Sequence, residues 1–114
     1  MRGSRAFVLW LAALVAAPAH ADAPRRVVSM NLCTDQLAML VAGEDQLLSV
    51  STLSADPRGS AMAEVAAGYT LNHGLAEEIY LMQPDLVIAG TFTRRATVQM
   101  LDRLGIPVVM FEPA

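Results

Sequence analysis

Short apolar runs and helically spaced apolar positions alternate along this chain from Arg26 onward, separated by small polar breaks. "RVVSM" (26–30), "QLLSVS" (46–51), "DLVIAG" (85–90) and "IPVVMF" (106–111) are rich in β-branched and aliphatic residues. In "LVIA" the apolar residues are consecutive rather than alternating, which suits a strand buried on both faces. Between these runs, "NLCTDQLAMLVAG" sets Leu37, Leu40 and Val41 on one helical face, with Gly43 as a stop. "TLSADPRGS" is a turn-rich loop broken by Asp56-Pro57 and Gly59. "SAMAEVAAG" reads as a short helix and "YTLNHG" as a brief extended segment. The helix through "EEIYLMQ" stops at Gln83, because the Pro84 ring disfavours helical backbone one residue earlier. Thr93 is expected to cap a last helix that ends at Gly105.

Strands alternating with helices predict an α/β fold: a parallel β-sheet flanked by helices on both faces, in three layers. Its expected core is Val27, Val28, Leu48, the run 86–89, Val108 and Val109. Ligands of such sheets sit beyond the carboxyl ends of the strands. The residues placed there are the stretches 29–31, 51–53 and 90–94. They make Ser29, Asn31, Ser51, Leu53, Thr91, Phe92 and Arg94 the candidate ligand contacts.

The first residues carry an address instead of a fold. Arg2 and Arg5 precede the apolar run "AFVLWLAALVAA", and "AHA" at 19–21 has the form of a secretory cleavage site. The segment is short for a membrane span, and no cysteine follows the cut to carry a lipid. Residues 1–21 are therefore expected to be a signal peptide cleaved after Ala21, releasing 22–114 to the periplasm without a stable membrane anchor. Removing them takes away two arginines and no acid, which leaves six arginines against eleven acids, a net charge of −5. An acidic chain without lysine has no electrostatic means of holding nucleic acid.

The candidate chemistry is that of binding, not of catalysis. "SMNLCTD" lacks the glycines of a dinucleotide loop. After cleavage His73 is the only histidine, too few for a cage around a bare metal ion, and no resident cofactor is indicated. Cys33 has no partner for an internal disulfide and reads as a small buried residue under the first strand-to-helix turn. No nucleophile and base can be paired, so no enzyme is expected.

"PRRVVSMNLCTDQLAMLVAGEDQLLSVS", then "EEIYLMQPDLVIAG", then "LGIPVVMF" together resemble the N-terminal lobe of the periplasmic binding proteins for vitamin B12 and ferric siderophores. The resemblance covers nearly all of 22–114. It implies a clamshell of two α/β lobes joined by a long helix and delivering ligand to an ABC importer. The chain stops at Ala114, about where that helix would be expected to begin, so it is expected to be half a clamshell, with the helix and second lobe absent. It also implies a metal chelate or corrinoid as ligand, an ABC transporter permease as partner, and a glutamate on each lobe that docks on that permease. The matching position is Glu77; Glu78 is better explained by the favourable placement of acids in a helix's first turn. The aromatic positions that surround a corrin in this family are matched by Leu53, Leu71 and Gly90, with Phe92 and Tyr69 nearby. Arg94 is suited to carboxylates of the ligand. A haem-binding member of the class is one alternative, and a small secreted interaction or sensor module another. One lobe offers a ligand a single wall, so tight capture is expected to need both.

Overall fold

The structure is a computed structural model and describes residues 22–112; the proposed signal peptide lies outside the described residues. Five parallel strands form one sheet: β1 (Val27–Ser29), β2 (Leu47–Ser51), β3 (Thr70–Asn72), β4 (Leu86–Gly90) and β5 (Val108–Phe111). Their spatial order is β3-β2-β1-β4-β5, so the chain winds outward from β1 in one direction, then returns and winds outward in the other. Helices α1 (Leu32–Val41), α2 (Ala63–Ala66), α3 (Ala76–Leu81) and α4 (Arg95–Arg103) make the connections, with a 3-10 turn at Thr52–Ala55. The point where the winding reverses lies between β1 and β4, where sheets of this kind open a crevice for ligand.

Both faces of the sheet are covered, as the consecutive apolar positions predict. Val28, Val87 and Ala89 face α3 and α4, where they pack with Ile79, Leu101 and Ile106. Val27 and Leu47 face the other way, toward Ala38 of α1 and Ala66 of α2, with Leu86 and Ile88 packed alongside. A register shift between Val27 and Val28 puts two residues of β2 against one of β1. It lets Leu47 and Val50 share a face although they are three apart.

Three expectations are corrected. Leu37, Leu40 and Val41 do not pack into the core: α1 buries Thr34, Asp35 and Ala38 instead, leaving those three 58%, 70% and 80% exposed. The cause is polar. Asp35 Oδ2 accepts from Ser51 N (3.1 Å), Ser51 Oγ (2.5 Å) and Ser54 Oγ (2.5 Å). The Thr34 hydroxyl meets Ser29 Oγ at 2.7 Å. These bonds turn α1 so that its polar residues face the sheet. Val109 is likewise exposed, on β5 at the edge of the sheet. Cys33 is exposed, although Thr34 and Asp35 in the same first turn of α1 are buried; its N–H donates to Asn31 Oδ1, which caps the helix.

The passage from α3 into β4 is held by a reciprocal clamp. Gln83 takes a left-handed backbone (φ 51), as helical backbone is disfavoured before Pro84. The Arg26 guanidinium caps the helix end, donating from Nε to Gln83 O (3.0 Å) and from Nη2 to Met82 O (2.6 Å). Asp85 answers in the other direction, accepting from the N–H groups of Arg25 (2.8 Å) and Arg26 (3.0 Å). Those two backbone bonds hold the Asp85 carboxyl below its ordinary pKa. The start of β1 and the start of β4 are thus pinned side by side, which fixes the crevice at their other ends.

Candidate functional site

A cleft of about 410 Å³ opens at the carboxyl edge of the sheet. Ser51, Thr52 and Leu53 after β2 form one side, His73 and Gly74 after β3 another, and Phe92, Thr93 and Arg94 after β4 a third, with Met30 and Asn72 between them. Of the residues singled out from the sequence, Ser51, Leu53, Phe92 and Arg94 line it. Leu53 and Phe92 present apolar surface, being 60% and 86% exposed, while Ser51 is buried with its hydroxyl committed to Asp35.

Ser29, Asn31 and Thr91 are not among the lining residues. Ser29 is fully buried beneath the edge and bonded to Thr34, so it supports the rim from below. Asn31 caps α1 and lies against Gly90: a Cβ at Gly90 would stand 2.6 Å from Asn31 Nδ2. The glycine is what allows β1 and β4 to deliver their loops so close together. Thr91 is exposed at the start of the next turn. Thr93 does not cap α4, whose N-cap is Arg94. Its hydroxyl accepts instead from Gly90 N (3.1 Å), while its own N–H donates to Gly90 O (2.9 Å). That tight turn presents Phe92 and Arg94 together.

The stretch 72–74, read from the sequence only as the end of a brief extended segment, turns out to wall the cleft. Asn72 is wholly buried; its Nδ2 donates to Ser29 O and Ser49 Oγ, both at 2.9 Å, and its Oδ1 accepts from Gly74 N (3.1 Å). Gly74 takes a left-handed backbone (φ 70), and its carbonyl accepts from Thr97 Oγ1 of α4 (2.8 Å). The signal that could have found it is Asn-x-Gly directly after a strand, an amide that bonds two residues on followed by the residue most tolerant of positive φ.

The two acids of α3 are distinguished by their surroundings. Glu77 is exposed. Glu78 is half-buried and turned back onto His73, accepting from His73 N (2.8 Å) and meeting its ring Nδ1 at 3.0 Å. Partial burial pushes the Glu78 carboxyl up, but the bonds from the His73 backbone and ring outweigh it and leave it below its ordinary pKa.

A second hollow of about 410 Å³ lies on the α1 face, between Leu37, Val41, Leu47, Leu86, Ile88 and Phe111. Its lining is nearly all aliphatic. It offers no convergent polar groups and sits away from the strand-end loops, so it lacks the few placed donors and acceptors of a small-molecule site. Tyr69 and Leu71 pack on this same side of the sheet and not in the carboxyl-edge cleft.

A five-stranded parallel sheet of this order, with a cleft at its reversal point, defines an α/β lobe, and comparison with known proteins shows what it is similar to. The chain is similar to the periplasmic binding proteins for vitamin B12, haem and iron, the family its sequence resembles. It is 35% identical over 112 residues to the vitamin B12-binding protein of Yersinia pseudotuberculosis serotype O:1b (strain IP 31758), a match covering 96% of this chain and 38% of that protein. The chain therefore spans well under half the length of the curated relatives it matches. No protein-family model matches.

Solved structures share the fold. A periplasmic vitamin B12 binding protein of Vibrio cholerae superposes with a TM-score of 0.59 at 24% identity, over 76% of this chain and 34% of that one. A periplasmic haem binding protein from Pseudomonas aeruginosa gives 0.58 at 21% identity, over 79% and 32%. A possible iron-binding, periplasmic solute-binding protein from Staphylococcus epidermidis gives 0.61 at 22%, over 82% and 36%. Among the described residues no helix is long and apolar enough to cross a membrane.

Proposed function

We propose that this chain is a solute-capturing lobe of a periplasmic binding protein that feeds an ABC importer, and that it takes a metal chelate or corrinoid in the carboxyl-edge cleft. The observation that carries this reading is the cleft's place, at the reversal point of a sheet whose sequence is 35% identical to a vitamin B12-binding protein. Leu53 and Phe92 supply apolar contact area, and Arg94 supplies a planar cation for carboxylates of the ligand. Ser29 and Asn31 act behind this surface, shaping the loops that present it, while Thr91 stands exposed next to Phe92 in the chain. Cleavage after Ala21 delivers the chain to the periplasm, where Glu77, exposed on α3, docks on the permease while Glu78 stays with His73.

Calorimetric titration of the chain with a ferric siderophore, iron protoporphyrin and cobalamin tests the reading. Weak or no heat from the lone lobe and tight binding of one of the three once a second lobe is supplied support it, and a folded two-lobe protein that takes up none contradicts it. For docking, Glu77→Ala is expected to slow uptake with ligand affinity unchanged, and Glu78→Ala to have the smaller effect on docking. A Glu77→Ala variant with normal uptake removes the docking role.

A further inference from the structure

The sheet has two edges, and they are finished differently. β3 begins with an exposed Thr70 and ends in a buried Asn72 committed to Ser29 and Ser49. β5 is wholly apolar, Val108-Val109-Met110-Phe111, and among the described residues its one sheet neighbour is β4. Val109, Met110 and Phe111 are 44%, 42% and 49% exposed. Edge strands are ordinarily guarded by a charge, a proline or a bulge, because their open main-chain groups invite another strand. β5 has none of these within its length: Pro107 precedes it, Glu112 follows it, and its register with β4 is unbroken.

The pairing with β4 fixes which main-chain groups are open. Val87 lies opposite Val108 and donates to Pro107 O at 2.8 Å. In a parallel ladder the bonds to one neighbour come from alternate residues of a strand. Val109 therefore turns its N–H and C=O toward β4, while Val108 and Met110 turn theirs out of the sheet. The side chains alternate as well. Val108 packs against the α3–α4 core, whereas Phe111 borders the apolar hollow on the α1 side and Val109 shares its face.

A strand laid out in this way is complementary to itself. A two-fold axis through Val109, perpendicular to the sheet, sets a second β5 antiparallel with Val108 opposite Met110 of the other copy. Each outward N–H then meets an outward C=O across the seam. Like faces stay together: Val109 meets its own counterpart between the two α1-side hollows, and Val108 lies beside Met110 on the other face. Like charges directly opposite would destabilise such a pair. None falls on this seam, and the two Glu112 residues lie at its opposite ends.

We propose that β5 is a self-association edge, through which two copies of this chain pair antiparallel into one continuous sheet. The capture reading is independent of it, because the two-fold turns the carboxyl edges in opposite directions and leaves both clefts open. A seam of two short strands is smaller than the roughly 800 Å² a side of tight complexes, so a dissociation constant of about 10–100 µM is expected.

Sedimentation equilibrium on the purified chain should show monomer at about 1 µM and dimer at about 1 mM. Amide exchange at Val108 and Met110 should slow at the higher concentration, with Thr70–Asn72 unchanged. Met110→Pro removes an outward N–H and spares the bonds to β4. It should weaken association at least about tenfold, since the two-fold loses the bond twice. Cross-linking reads the register without relying on the fold of that variant. Opposed residues of a non-hydrogen-bonded antiparallel pair stand about 4.5 Å apart at Cα, within reach of a disulfide. With the exposed thiol removed by Cys33→Ser, Val109→Cys should oxidise to a covalent dimer, and the more exposed Leu40→Cys should not. A chain that stays monomeric at about 1 mM overturns the proposal. So does a folded Met110→Pro variant that associates like the parent. Cross-linking of Val109→Cys no faster than that of Leu40→Cys overturns it too, by moving any association off the β5 seam.

Discussion

The two faces of the sheet are built from the same strands and end up unlike. On the α3–α4 side, Val28, Ile79, Val87, Ala89 and Leu101 are all fully buried. On the α1 side, Ala38 and Ala66 contribute small side chains, and a hollow remains beside Leu37, Val41 and Phe111. Apolar pattern placed the helices of the first face. On the second, hydrogen bonds to one buried carboxylate decided which side of α1 meets the sheet, against the apolar positions of that helix. The difference teaches that the three bonds gathered by one oxygen of a buried carboxylate can outweigh several exposed leucines, even though its other oxygen, Oδ1, is left without a partner.

The sealed face gives the largest expected effect. Val87→Asp puts a charge without a partner into a fully buried site on β4. It should destabilise the fold by about 4 kcal/mol or more, measured by denaturant unfolding. A melting curve like that of the parent chain would remove β4 from the core.

Asp35 comes next. Asp35→Ala leaves the Ser51 and Ser54 hydroxyls and the Ser51 N–H without their acceptor. A loss of about 1–3 kcal/mol is expected, together with faster amide exchange at 51–54, the rim of the cleft. Unchanged exchange there would mean that the loop keeps its shape without α1.

The clamp at Asp85 predicts a dependence on pH. Its folded carboxyl lies below the unfolded value of about 3.9. The stability it contributes is therefore complete above that value and lost as pH falls through the lower, folded one. Asp85→Asn should lower stability at neutral pH and flatten the fall on the acid side relative to the parent. Parallel acid-unfolding curves for the two proteins would assign the acid limb to other groups. The exposed side of α1 should respond least: Leu40→Ser is expected to stay within about 0.5 kcal/mol of the parent, and a larger loss would show that the open face is packed.

Much of the fold was legible from the chain alone, and the illegible part has a common cause. "LVIA" announced a central strand because four consecutive apolar residues suit no half-exposed element, and "QPD" announced the break before it. The strand ends then indicated the loops that carry Leu53, Phe92 and Arg94 to the cleft. The orientation of α1 was not legible, since its apolar residues satisfy helical spacing while the deciding contacts run from Asp35 to serines sixteen and nineteen residues away. The wall at 72–74 was hidden for the same reason. Asn72 matters through long-range bonds to Ser29 and Ser49, and Glu78 through a histidine one turn outside its helix. Periodicity reports burial of apolar surface and is silent on which polar groups find each other.

Amide chemical-shift mapping during titration with cobalamin or a diamagnetic metalloporphyrin sets the two hollows directly against each other. Shifts concentrated at 51–53, 72–74 and 92–94 are expected, with Leu37, Val41 and Phe111 unmoved. Shifts centred on those three residues, with the strand-end loops silent, would place the ligand on the open α1 face and contradict capture at the carboxyl edge.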